Sequence, residues 1–116
     1  MSSHTPPFEV LLTPQFQKDL KQLAKRYRSI RKDLEPLLEQ LKAGELTGDP
    51  LVGLNREVFK LRLKNSDISK GKSAGYRIIY YIKTQTSVVL VTIYSKSDLS
   101  DISNQFVEEI IRTFED

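Results

Sequence analysis

Three consecutive runs in the second half of the chain narrow the folds open to it. Phe59 to Lys64 alternates, placing Phe59, Leu61 and Leu63 on one side of an extended backbone and Lys60, Arg62 and Lys64 on the other. Gly75 to Lys83 follows a polar connection and is rich in the β-branched and aromatic residues that pleated sheets favour. Val88 to Tyr94 (VVLVTIY) is apolar on both faces, which predicts a strand inside the sheet. Asn65 to Ala74 joins the first two runs and Thr84 to Ser87 turns into the third, so the three read as an antiparallel meander. Arg77 falls where such a hairpin could set it beside Arg62.

The first half supplies helices. Phe8 to Leu12 reads as a short strand, stopped by Thr13 as a helix N-cap with Pro14 at the first helical position, where its missing N–H costs nothing. Phe16, Leu20, Leu23, Ala24 and Tyr27 recur at helical spacing, and so do Ile30, Leu34, Leu37, Leu38 and Leu41. Two helices turning near Arg28 and Ser29 are expected, with Pro36 kinking the second or delaying its start towards Asp33. Gly44 to Glu57 has loop chemistry and carries neither a G-K-[ST] nor a G-x-G-x-x-G motif. Beyond Tyr94, the possible caps Ser100, Asp101 and Ser103 precede a final helix with the stripe Phe106, Val107, Ile110, Ile111 and Phe114. The expectation is an α+β fold: N-terminal strand, helical hairpin, three-stranded antiparallel meander and C-terminal helix. Its sheet is four-stranded and mostly antiparallel, with the helices packed on one side.

At 116 residues the chain reads as one domain, residues 1–116, in which 1–7 form a flexible tail holding the only histidine, His4. There is no cysteine, no metal-ligand spacing of His, Cys and carboxylates, and no Ser-His-Asp set on the strands. No metal or small-molecule cofactor is therefore expected. The start MSSHTPPFEV lacks the basic and apolar regions of a signal peptide, and no apolar run is long enough for a bilayer, so the cytoplasm is the expected location and no membrane partner is expected.

The net charge of +3 is modest, but its distribution is not. From Arg56 to Arg77 seven Lys and Arg stand against two acids, whereas from Ser97 to Asp116 one stands against six. A basic middle attracts nucleic acid or an acidic protein, and salt weakens either attraction. The outer helix cations Lys18, Lys21, Lys25, Arg26, Arg28, Arg31 and Lys32 read as a solvated face or as contacts to a nucleic-acid backbone.

On the strands, Lys60, Arg62, Arg77 and Lys96 stand among Tyr76, Tyr80, Tyr81 and Tyr94, an array suited to phosphate charge and stacked bases. RNA carries its own nucleophile, the 2′-hydroxyl, so geometry, proton transfer and charge stabilisation suffice to cut it without a metal. Lys60, flanked by cations that disfavour its charge, is the candidate base. Arg77, helped by Arg62, would grip the non-bridging oxygens with its planar fork. Lys96 would neutralise or protonate the leaving 5′-oxygen. Lys64, Lys70, Lys72, Tyr76 and Tyr94 complete the RNA-binding set. A strand exposed on one face also carries Lys and Arg simply for solubility and against edge pairing, and Tyr80 and Tyr81 serve equally as half-buried packing.

The run KLRLKNSDISKGKSAGYRIIYYI, followed by VVLVTIYSKSDLSDIS, resembles the RelE/ParE superfamily of bacterial toxins from type II toxin–antitoxin systems, and its wording is nearest the RelE and HigB branch. The resemblance covers the chain from Phe8 onward and is most specific in K-L-R, G-Y-R and Y-S-K-S. It implies a RelE-like fold, cleavage of mRNA in the ribosomal A site and an acidic, neutralising antitoxin. Lys60 and Arg62 match the family's two basic catalytic positions, Lys64 a further basic one, Arg77 the arginine after Gly-Tyr, and Lys96 the basic position ending the last strand. Ser97 stands where an additional catalytic arginine is expected and Ser103 near an expected tyrosine, which leaves Tyr94, Lys96, the ribosome or solvent to protonate the leaving group. A ParE-like toxin that inhibits DNA gyrase without nuclease activity, and a non-enzymatic RNA-binding module, are the alternatives.

Overall fold

The computed structural model describes residues 8–68 and 74–116. Its elements in order are β1 (Glu9–Leu12), α1 (Pro14–Arg26), α2 (Ile30–Lys42), β2 (Asp49–Pro50), β3 (Val58–Leu63), β4 (Tyr76–Thr84), β5 (Ser87–Ser95) and α3 (Asn104–Glu115). The tail 1–7, with His4, and the basic loop residues Lys70 and Lys72 lie outside the described residues.

Thr13 ends β1 and starts α1 in one step. Its side-chain oxygen accepts from the Phe16 amide at 2.9 Å while its hydroxyl donates to the Val91 carbonyl at 2.7 Å, so one buried residue caps the helix and ties it to the sheet. The two helices turn where the sequence places the turn. α2 nevertheless begins at Ile30 and runs through Pro36 to Lys42. Pro36 is exposed, and the carbonyl that loses its donor belongs to exposed Lys32, so water is at hand to satisfy it.

The sheet has five strands in the order β1-β5-β4-β3-β2, one more than expected because Asp49 and Pro50 pair with Lys60 and Phe59. That addition is short and proline-containing, in keeping with an edge. β1 returns parallel to β5, and all other pairs are antiparallel. All nine residues of β5 are buried at the centre.

Helices cover both faces of this sheet rather than one. α1 and α2 pack over Leu61, Tyr76, Ile78, Tyr80, Val88, Leu90 and Ile93. α3 uses Val107 and Ile111 to cover Val58, Ile79, Tyr81, Val89, Val91 and Tyr94. The reason lies in β4 and β5, whose apolar residues occupy both sides and need shielding on each. Glu115 holds the far end of α3, accepting from the Tyr81 hydroxyl and from Lys83 at 2.8 Å.

One irregularity decides which side chains share a face. Tyr80 pairs with Leu90 but Ile79 pairs with Thr92, so Val91 is an extra residue on β5. A bulge of this kind shifts the alternation by one position. Beyond it, Ile93 joins the α1/α2 core and Tyr94 turns to the α3 side.

Candidate nucleic-acid interface

The cations gather on the α3 face, at the end of the sheet nearest the β5–α3 connection. Arg62 on β3 pairs with Arg77 on β4, and Arg77 pairs with Tyr94 on β5. Lys60 stands two residues from Arg62, on the same face. Like charges directly opposite one another destabilise a sheet. Two arginines at facing positions put two planar cationic forks on one patch, a pattern suited to holding an anion.

Their exposure differs. Arg62 is exposed, whereas Arg77 is only 6% exposed, with Nη1 donating to the Tyr76 carbonyl at 3.2 Å. Tyr94 is likewise buried, and among the described residues its hydroxyl makes no well-formed hydrogen bond. Burial pushes the Tyr94 phenol up, the Asp101 carboxylate pushes it further, and the Arg77 guanidinium partly opposes both.

Lys60 is not surrounded by cations alone. Its ammonium donates to Asp101 Oδ1 at 3.0 Å, and the same oxygen accepts from the Ile102 amide at 2.9 Å. These two donors, Lys60 first, hold the Asp101 carboxyl below its ordinary range, with the charge of Lys96 adding to the effect. Lys96 itself donates to the Ser100 carbonyl at 2.7 Å. Sequence reading weighs Asp101 only as a helix cap; in the structure Ser103 caps α3. No local signal marks a contact between residues 41 positions apart.

The other expected binding residues go elsewhere. Lys64 lies just past β3 and lines a groove of about 540 Å³ with Arg62, Lys32 and Ser29, between β3 and α2. Tyr76 is fully buried on the opposite face, edge-on to Tyr27 with ring centres 5.8 Å apart, and is not on the surface with the cations. Tyr80 donates to the Thr47 carbonyl at 2.6 Å, so it and Tyr81 serve the core. The basic outer sides of α1 and α2 belong to the layer on the other side of the sheet. Among the described residues, no three His, Cys, Asp or Glu side chains gather to share a metal. No helix among them is long and apolar enough to cross a membrane.

A mostly antiparallel sheet thus lies between a helical hairpin and one C-terminal helix, with basic residues meeting across its strands. Residues 10–100 match the ParE toxin family of type II toxin–antitoxin systems, parDE, and the chain belongs to that family. It is thus a toxin of the RelE/ParE superfamily, with a cognate antitoxin as partner. Among solved structures it is similar to a mutant of the E. coli toxin RelE in the free state, at 18% identity and a TM-score of 0.55, over 92% of this chain and 97% of that one. That likeness concerns the fold. No curated protein matches the chain.

Proposed function

We propose that this toxin is a metal-independent endoribonuclease that cuts mRNA in the ribosomal A site and so stops translation in the cytoplasm. The observation that carries this reading is the row Arg62, Arg77 and Tyr94 across three strands, with Lys60 beside it. In the reaction the RNA 2′-oxygen bonds to phosphorus and the P–O5′ bond breaks. The 2′-hydroxyl gives up its proton, O5′ gains one, and the products are a 2′,3′-cyclic phosphate and a 5′-hydroxyl. Arg77, fixed by burial, and Arg62 bind the non-bridging oxygens as their charge grows. Lys96 would neutralise or protonate the leaving 5′-oxygen, with the Tyr94 hydroxyl as the other candidate donor. Lys60, the candidate base, is paired with Asp101 in the free toxin and meets the 2′-hydroxyl only once that pair opens. An acidic antitoxin segment would cover this basic surface.

Primer-extension mapping on translated and untranslated transcripts tests the reading. Wild-type toxin gives codon-positioned cuts on translated mRNA, and Arg62→Ala and Arg77→Ala remove them. Lys60→Ala slows cutting more than it weakens RNA affinity if Lys60 acts in the transition state. The family match favours a second reading, a toxin that acts on DNA gyrase. Intact mRNA together with accumulating double-strand DNA breaks would establish that reading instead.

A further inference from the structure

The cation site already contains an anion, and it is the protein's own. Asp101 Oδ1 sits 3.0 Å from Lys60 Nζ, the neighbouring Ser100 carbonyl is held by Lys96 at 2.7 Å, and the buried Tyr94 hydroxyl, close enough to feel the Asp101 charge, makes no well-formed hydrogen bond among the described residues. A carboxylate and a phosphate oxygen ask for the same donors, so the place an internal carboxylate takes among these groups marks the seat of an external anion. We propose that Asp101 is a resident occupant of the substrate-phosphate seat, which RNA displaces on binding.

Two features make the exchange feasible. Asp101 lies in the irregular segment between β5 and α3, so it can withdraw without unwinding the helix. Its side chain is 65% exposed while that of Lys60 is 24% exposed, so the carboxylate is the member solvent and competitors reach more easily. An ion pair this exposed is weak and yields readily to a better-placed dianionic or multiply contacted competitor. In the free toxin Asp101 then keeps Lys60 aimed at the seat and sets a threshold against weakly bound anions. This inference rests on the RNA reading of the same surface.

The test is binding of a short single-stranded RNA with 2′-O-methyl groups, which cannot supply the nucleophile, measured by fluorescence anisotropy at low salt. Asp101→Asn tightens binding about three- to tenfold. The gain disappears in a Lys60→Ala background, because the two residues form one coupled unit. Asp98→Asn removes an equal charge nearby, one paired with Arg26 instead, and changes affinity much less. Unchanged or weaker binding by Asp101→Asn, in a toxin whose binding Arg62→Ala still weakens, overturns the exchange alone. Binding that ignores both Arg62→Ala and Lys60→Ala overturns the RNA reading and the exchange with it.

Discussion

Removing one oxygen from each of three buried tyrosines has different consequences, and the structure sets the sign of each. Among the described residues, neither the buried Tyr76 hydroxyl nor the buried Tyr94 hydroxyl, which lies near the Asp101 carboxylate, makes a well-formed hydrogen bond, whereas Tyr80 donates to the Thr47 carbonyl at 2.6 Å. A buried polar group without a partner costs roughly 1–3 kcal/mol, and a satisfied hydrogen bond contributes about 1 kcal/mol net. Tyr94→Phe and Tyr76→Phe therefore stabilise the fold by about 1 kcal/mol each, and Tyr80→Phe destabilises it by about as much. For a domain of this size, 1 kcal/mol moves Tm by about 4 °C. Function separates the two stabilising changes. Tyr94 shares its face with Arg77, so on the proposed nuclease reading Tyr94→Phe lowers cleavage about a hundredfold, the usual effect of losing one donor to a developing oxyanion. Tyr76 lies beneath α1 and α2, so Tyr76→Phe leaves cleavage unchanged. Denaturant midpoints and single-turnover cleavage of one transcript measure both quantities. A destabilised Tyr94→Phe would show that its hydroxyl has a partner. Loss of cleavage in Tyr76→Phe matching that in Tyr94→Phe would refute the assignment of faces.

Thr13→Ala removes both the α1 cap and the bond to Val91, and costs about 2–3 kcal/mol by urea denaturation, while Thr13→Ser retains most of the stability. At Gly75 an added Cβ would lie 2.2 Å from the Leu63 carbonyl oxygen, so Gly75→Ala forces β3 and β4 apart next to the Arg62–Arg77 pair. It lowers stability by about 2 kcal/mol or more and, on the proposed nuclease reading, cuts cleavage with it. Burial pushes Tyr80 up to about 12 and raises Tyr76, Tyr81 and Tyr94 as well. The unfolded chain therefore loses tyrosine protons first, near pH ~10. The stability these groups contribute is full below that pH and declines as pH rises towards the folded-state values, so denaturant midpoints at pH ~8 and pH ~11 should differ clearly.

Much of this was legible in the chain because it follows from local periodicity. Alternation in Phe59 to Lys64 and again around Arg77 puts Arg62 and Arg77 on faces where a hairpin could pair them, and the register of β3 and β4 makes the pair. Thr13-Pro14 likewise announces the start of α1. The doubly apolar VVLVTIY run even implies the cover on both faces that the one-sided helix arrangement leaves out.

Tertiary structure alone decided the rest. The extra residue at Val91 turns Tyr94 towards Arg77, whereas unbroken alternation from the Tyr80–Leu90 pair would have set Tyr94 opposite Tyr76 in the helix-side core. A bulge depends on how two strands fit and twist against each other, which neither strand encodes by itself. Asp101 reaches Lys60 only because α3 crosses back over the sheet, bringing together residues far apart in the chain. Face and register arise from neighbours in sequence; the company a side chain keeps across the sheet arises from packing.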